Sequence, residues 1–271
     1  MVELTRTVRF SVNDGAASFG EPAHNSFASF PSMLGLGRHY ELDVRCRGQV
    51  DPMTGYCINI KDIDRAARST AIPVIAAACA RGPGEHPAIV LQEALSSLDR
   101  ELPGGVAIAS VRWHLSPYYS IEMSPQAPTV ALLRQQFDFA AAHRLHVPTL
   151  SDEENRRIFG KCNNPRGHGH NYRVEPCVEV PVQQAGPPEL SLAEFERLTV
   201  EHIIARFDHT HLNDDTAEFN TARGGINPSV ENIARVCFEL LSPAVRAAAP
   251  RAKLRHVTVW ETDKTSSTYP G

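Results

Sequence analysis

The sequence lacks the features that mark exported, membrane-spanning and nucleic-acid-binding proteins. The N-terminal segment Met1–Gly15 has no apolar stretch and no cleavage site for a signal peptidase, and no apolar run is long enough to cross a bilayer. There is no basic excess, because 27 lysines and arginines face 31 aspartates and glutamates, which gives a net charge of -4. We therefore predict a cytoplasmic protein that binds neither membranes nor nucleic acids.

Cysteine pairs of the zinc-binding kind are also missing. Six cysteines are present, but no two of them have the C-x-x-C spacing, which argues against a cysteine-based zinc site. We expect most of them to be small buried apolar residues. The hydrophobic fraction of 42% is that of a folded protein, and 271 residues suffice for two small domains or one large one.

A proline-rich segment, Ser124–Thr129, separates two halves of similar length and similar pattern. Each half has the order strand, strand, helix, helix, strand, and the alternating strands that begin at His39 and Asn171 carry an aromatic residue at the same place. This repetition predicts an internal duplication of an α+β domain with antiparallel sheets, with domains at 1–125 and 129–271. The alternative is that two unrelated α+β halves look alike at this level of detail.

Helix signals are strongest in the second half. An apolar stripe that includes Leu192, Phe195 and Leu198 has the 3.6-residue period of a helix. In the next helix, Asn227 is placed to act as the N-cap and Pro228 lies in the first turn, which is a favoured start.

Three histidines form the strongest candidate metal site. His168 and His170 are two residues apart at the start of an alternating strand, so their side chains share one face. His143 ends another strand-like run and would supply a third nitrogen. Three imidazoles with an open fourth position are typical of a catalytic zinc ion. The alternative is that these are ordinary surface or core histidines, and His146 is the nearest competitor for the third ligand.

Cys162 is the cysteine whose surroundings indicate reactivity. The residues after it, Asn-Asn-Pro-Arg-Gly, favour a turn that folds the thiol back towards His168. A nearby metal ion, Lys161 or a protonated imidazole would lower the pKa of the thiol and make it a base for a carbon-bound proton. The alternative is that Cys162 is a fourth zinc ligand.

Two further polar motifs are candidates for chemistry. Asp208 precedes His209, and an adjacent carboxylate orients an imidazole or raises its basicity. Glu261 follows Val257 and Val259 on one face of a predicted strand, where a carboxylate is unfavourable unless it meets a donor. It would accept two hydrogen bonds from a guanidine-like ring edge; a surface charge or an internal ion pair is the alternative.

Five stretches of the second half together resemble the 6-pyruvoyltetrahydropterin synthase family: FAAAHRL, EENRRIFGKCNNPRGHGHNY, FDHTHLN, NPSVENIA and VTVWETD. The resemblance implies the tunnelling fold (T-fold), here as tandem repeats that each have an antiparallel four-stranded sheet with two helices on one face. It implies zinc bound by His143, His168 and His170. It also implies Cys162 as the base, Asp208 and His209 as its partners, and Glu261 and Ser229 as pterin contacts.

The reaction implied is the conversion of 7,8-dihydroneopterin triphosphate to 6-pyruvoyltetrahydropterin with elimination of triphosphate. Arg144, Lys161 and Arg166 would contact the triphosphate by charge. The alternative from the same resemblance is 6-carboxytetrahydropterin synthase of the queuosine pathway, which has a shorter gap between the cysteine and HGH. The gap here has five residues, Asn163 to Gly167, which favours the pyruvoyl product. A pterin-binding protein without turnover and a zinc hydrolase are further alternatives, although no HExxH motif supports the hydrolase.

The first half resembles a degenerate copy of the same domain. Aligning the two tyrosines places Arg38, Leu36 and Leu115 where the second half has His170, His168 and Glu261. Arginine and leucine do not bind zinc, so we predict no metal site there and a structural role instead. We also expect a homo-oligomer, in which the fused copy replaces one neighbouring subunit.

Overall fold

The computed structural model describes residues 1–13, 29–183 and 188–271. The chain divides into two compact units. Unit 1 comprises Met1–Leu133 and Val180–Pro188, and unit 2 comprises Arg134–Glu179 and Glu189–Gly271. The segment Val180–Pro188 returns to unit 1, which the sequence did not indicate, since it belongs to the second half of the chain.

Unit 1 contains an antiparallel sheet. Its strands are β1 (Val2–Val12), β2 (Arg38–Gly48), β3 (Val106–His114) and β4 (Tyr119–Met123). They pair in the order β1–β2–β3–β4. In β2, the alternate residues Leu42, Val44 and Cys46 are buried, as expected for a strand with one face in the core.

Helices of unit 1 follow β2 in the chain. They are α1 (Ile60–Ala66), α2 (Ile72–Arg81) and α3 (Pro87–Glu101), with a π-helical turn, Ala67–Ala71, between α1 and α2. The side chain of Asn59 caps α1 by accepting from the Lys61 amide. α3 packs against α2, β3 and β4, and its residues Leu91 and Leu98 are fully buried.

Strand β5 (Val130–Gln135) carries the chain from unit 1 into unit 2. The strands of unit 2 are β6 (Phe137–His143), β7 (His168–Pro181), β8 (Thr210–His211), β9 (Lys253–Thr262) and β10 (Thr265–Pro270). They pair in the order β8–β6–β7–β9–β10, antiparallel except for the short β6–β8 pair. β7 is the middle strand of this order, and β6 lies beside it.

The helices of unit 2 are α4 (Asp152–Phe159), α5 (Leu192–Thr199), α6 (Ala205–Phe207), α7 (Leu212–Asp215) and α8 (Val230–Ala248). A π-helical turn, Val200–Ile204, joins α5 to α6. α8 packs on β9 and β10 through its apolar face. The predicted N-cap was wrong: the Ser229 side chain caps α8, because Asn227 instead accepts from the His146 amide at 3.1 Å.

The α+β class predicted from the sequence is confirmed by this arrangement of sheet and helices. Each unit contains two strands, a helix interrupted by a π-helical turn, a long helix and a closing strand hairpin. The tandem T-fold remains a prediction. No helix in the described part of the chain has the length and apolar character needed to span a membrane.

Candidate active site

The three predicted histidines converge because of the register between β6 and β7. His143 pairs directly with His168, and Ala141 pairs with His170, so the three imidazoles share one face of the two strands. Their ring centroids lie 4.5 to 5.2 Å apart. The small side chain of Ala141 leaves space above it for the His170 ring. The ligand atoms of the three imidazoles all lie within 4.8 Å of one another.

Burial and hydrogen bonding leave lone pairs of these nitrogens available to bind a cation. His143 is fully buried, and its Nδ1 donates to the Pro228 carbonyl at 2.7 Å, so its Nε2 carries the lone pair. This Nε2 lies 3.1 Å from Nε2 of His168, whereas the buried Nε2 of His170 has no hydrogen-bond partner among the described residues. Burial lowers the pKa of His143 to about 4 and also lowers the pKa of His168, which keeps both rings neutral at pH 7. This donor set fits zinc.

A glycine lies in the turn directly before His168. Gly167 has φ +70°, and a Cβ added there would lie 2.6 Å from Nε2 of His211 and 3.0 Å from the His143 carbonyl oxygen. Only glycine adopts this conformation readily and leaves that space open. The turn that precedes His168 therefore depends on Gly167.

We expect G167A to lower the free energy of unfolding by about 1–3 kcal/mol, because the new Cβ strains the backbone and displaces its neighbours. G169A is the matched control, since a Cβ at Gly169 meets only the Ala141 carbonyl oxygen at 3.6 Å. Urea denaturation of the two variants measures the difference. Equal losses would show that the turn tolerates a side chain at residue 167.

Cys162 lies in a 3₁₀ turn, Gly160–Asn163, that is tied to the segment after β6. The Leu145 amide donates to the Cys162 carbonyl at 2.9 Å, and the Asn163 side chain donates to the Leu145 carbonyl at 2.7 Å. These bonds hold the cysteine loop beside the end of β6. Among the described residues, Cys162 is not part of the group of metal-binding atoms, which disfavours its alternative interpretation as a fourth zinc ligand.

A basic cavity of about 870 Å³ surrounds this cysteine. Its lining includes Cys162 and His168 together with three cationic side chains, those of Arg144, Arg156 and Lys161. Asp152 is the acidic residue of the lining, so positive charge predominates. The cavity thus suits a polyanion placed next to the thiol and the imidazoles.

The Asp208–His209 pair lies at the edge of β6. Asp208 accepts from the Ala140 amide at 2.8 Å and from Nδ1 of His209 at 2.8 Å, and these hydrogen bonds lower the pKa of its carboxyl group. His209 has φ 58°, an uncommon conformation for a non-glycine residue, and its side chain is 83% exposed. This imidazole borders a cavity of about 370 Å³ that includes His170, whereas Cys162 lines the basic cavity.

The sequence model of the family described as 6-pyruvoyl tetrahydropterin synthase matches residues 132–271, which include the imidazole cluster and Cys162. This region is slightly more than half of the chain. The chain belongs to this family. It is 36% identical over 141 residues to the 6-pyruvoyl tetrahydrobiopterin synthase of Homo sapiens, covering 52% of this chain and 92% of the relative.

Two further family members give similar matches. The 6-pyruvoyl tetrahydrobiopterin synthase of Poecilia reticulata is 33% identical over 148 residues, which are 55% of this chain and 95% of the relative. The solved structure of Caenorhabditis elegans 6-pyruvoyl tetrahydropterin synthase is 33% identical and covers 52% of this chain and 96% of its own, with a TM-score of 0.47.

Two residues of the family motifs have contacts that the sequence did not specify. The Glu261 carboxylate lies 3.4 Å from Nε2 of His143 and 3.5 Å from Nε2 of His170, next to the imidazole cluster. The Ser229 hydroxyl accepts from the Asn232 amide as the N-cap of α8. Their roles as pterin contacts remain predictions.

Basic residues near the thiol were only partly identified from the sequence. Arg144 and Lys161 line the cavity, but Arg166 is not among its lining residues. Arg156 was missed, because its place in the cavity depends on how α4 packs against the cysteine loop. In unit 1, Leu36 is fully exposed and Arg38 begins β2. That unit 1 has no metal site remains a prediction.

Proposed function

We propose that unit 2 is a carbon–oxygen lyase that eliminates triphosphate from 7,8-dihydroneopterin triphosphate and forms 6-pyruvoyltetrahydropterin. His143, His168 and His170 would hold a zinc ion. The observation that supports this most strongly is the convergence of three imidazoles beside a basic cavity that contains a free thiol. The names of the relatives point to the same reaction.

The side chains around the cavity have complementary tasks in this proposal. Zinc, when bound, supplies Lewis-acid polarisation of substrate oxygens, which acidifies the adjacent C–H bonds. Cys162 takes the carbon-bound proton, because its thiol opens on the cavity next to His168. Arg144, Arg156 and Lys161 hold the triphosphate and stabilise its negative charge as it leaves. Glu261 and Ser229 are the proposed pterin contacts.

Product identification tests this proposal. The full-length chain is loaded with zinc and incubated with 7,8-dihydroneopterin triphosphate, and the pterin product is identified by mass spectrometry. A pyruvoyl product with release of triphosphate supports the proposal. A carboxy product would replace it by 6-carboxytetrahydropterin synthase, and binding of the substrate without turnover would make the chain a pterin-binding protein.

We further propose that the chain forms a homo-oligomer in which Asp208 and His209 of one copy serve Cys162 of another. Two observations support this arrangement. The His209 imidazole is largely exposed and held in an uncommon backbone conformation, and it borders a different cavity from the thiol. Residues held in uncommon backbone conformations cluster at functional sites, and an exposed dyad is accessible to a second molecule.

We expect the inactive variants C162A and H209A to complement each other when they are co-expressed. Random assembly would give about one quarter of the wild-type turnover, because a working site needs an intact thiol from one copy and an intact imidazole from another. The control mixture is C162A with H168A, which should stay inactive because both residues line one cavity of one chain. Turnover of the first mixture no higher than that of its separate components would show that the dyad does not act between copies.

A further inference from the structure

Unit 1 contains a cavity of about 350 Å³ that the proposed reaction does not use. It lies at the start of β2, between the end of α2, the start of α3 and the end of β3. Its lining includes Arg38, Tyr40, Cys79, Val90, Trp113 and Leu115. The volume is that of a small-molecule site.

The position of this cavity corresponds to that of the imidazole cluster in unit 2. In unit 1, Phe10 pairs with Tyr40 across the first two strands, and the rings lie 5.8 Å apart. In unit 2, Phe139 pairs with Tyr172 across β6 and β7, and the rings lie 5.1 Å apart. The two tyrosines therefore mark equivalent points in the two sheets.

Side chains next to these tyrosines differ in charge between the units. Two residues before the tyrosine, unit 2 has His170 and unit 1 has Arg38. On the adjacent strand of unit 2, Glu261 follows Trp260, which pairs with Arg173. On the adjacent strand of unit 1, Leu115 follows His114, which pairs with Glu41. Glu261 and Leu115 therefore occupy equivalent positions. An imidazole and a carboxylate suit a cation, whereas a guanidinium beside an apolar side chain suits an anion.

The walls of the cavity favour an aromatic ring. Tyr40 and Trp113 meet edge to face with centroids 5.3 Å apart, and Val90 adds a buried apolar surface. Trp113 is only 3% exposed, yet its Nε1 has no hydrogen-bond partner among the described residues. A buried N–H group normally has an acceptor, and a ligand oxygen would supply one.

Positive charge is fixed at the mouth of this cavity. The Arg38 guanidinium donates to the Cys79 carbonyl at 3.4 Å, which orients it at the end of α2. Glu85 also lines the cavity, but its carboxylate is paired with Arg81 at 2.7 Å. Arg38 itself lines the cavity, which brings its guanidinium within reach of an anion bound there.

We propose that the unit 1 cavity binds a small aromatic carboxylate, with its ring against Tyr40 and Trp113 and its carboxylate on Arg38. This proposal is independent of the lyase reaction. Unit 1 would then bind an anion, whereas the ligand proposed for the imidazoles of unit 2 is a metal cation.

Benzoate is the probe that tests it, with benzamide as its uncharged counterpart. The chain has two tryptophans, so the full-length W260F variant reports on Trp113 alone by fluorescence. We expect a saturable response to benzoate, with binding weakened about tenfold or more for benzamide and for the R38Q variant, since a charge-assisted hydrogen bond is lost. R100Q is the control, because Arg100 on α3 is exposed and is not among the lining residues.

A second variant guards against a folding defect in R38Q. L115E introduces the carboxylate that unit 2 has at the equivalent position, and it should also weaken benzoate binding about tenfold by repulsion. Circular dichroism checks that each variant is folded. Absence of a saturable response, or equal affinities of R38Q, L115E and R100Q for benzoate, would overturn the proposal.

Discussion

The H170A variant is expected to be isolated with less than about 0.1 zinc ion per chain after dialysis, against about one for the wild type. His170 contributes a buried Nε2 that has no hydrogen-bond partner among the described residues and lies 3.5 Å from the Glu261 carboxylate, so we expect the metal to be its main partner. Removal of this nitrogen leaves two imidazoles, and two nitrogens hold zinc far more weakly than three. Lyase turnover should be lost with the metal.

His146 provides the control for this experiment. It lies three residues after His143, and its Nδ1 is engaged with the Asn163 side chain at 3.1 Å, outside the group of metal-binding atoms. H146A should therefore keep its zinc. Retention of zinc by H170A, or its loss from H146A, would contradict the assignment of ligands. Two zinc ions per wild-type chain would contradict the prediction that unit 1 has no metal site.

The C162A variant, unlike H170A, should retain its zinc, while its turnover should fall by about 10²–10⁴-fold, the usual contribution of a general base. Its thiol lies in the basic cavity but outside the imidazole group, so its removal should disturb neither the metal nor the binding of the pterin. Steady-state kinetics, zinc content and direct binding of the substrate measure the three quantities separately.

C57A is the matched control, because Cys57 is another partly exposed free cysteine and it lies in unit 1. Its turnover should equal that of the wild type. Turnover of C162A within a factor of about three of the wild type would remove the thiol from the proposed chemistry, a change too small for a lost general base. Loss of zinc from C162A would revive the alternative that the thiol is a metal ligand.

These two variants separate the tasks that the site combines. The three imidazoles come from two paired strands, whereas the thiol comes from a loop held by backbone and amide hydrogen bonds to Leu145. A rigid pair of strands fixes the ligands, and the loop brings the thiol to the same cavity. We therefore expect turnover to depend on both the imidazoles and the thiol, whereas zinc content should depend only on the imidazoles.

Patterns of local spacing identified much of the site. The two-residue spacing of His168 and His170 was sufficient to predict that their side chains share one face, because strand side chains alternate. The helix that contains Phe195 and Leu198 is present, and both residues are buried. Its π-helical turn was not predicted, since no local pattern distinguishes it from a continuous α-helix.

Contacts between distant segments could not be predicted from local sequence patterns. The sequence suggested Asn227 as the cap of α8, but its side chain accepts from the His146 amide 81 residues away, and Ser229 takes the cap. Likewise, the sequence showed that Asp208 and His209 are adjacent, but their position at the edge of β6 depends on the pairing of β6 with β8.

The sequence by itself determined the residue types of the imidazole cluster, the face that His168 and His170 share and the family that the second half of the chain resembles. The tertiary structure decided which cavity each group enters: Arg156 joins Cys162, His209 borders a separate space, and Glu261 approaches the imidazoles. The physical reason is that the direction of a side chain depends on local backbone geometry. Proximity across the fold depends instead on strand register and helix packing, which involve segments far apart in the chain.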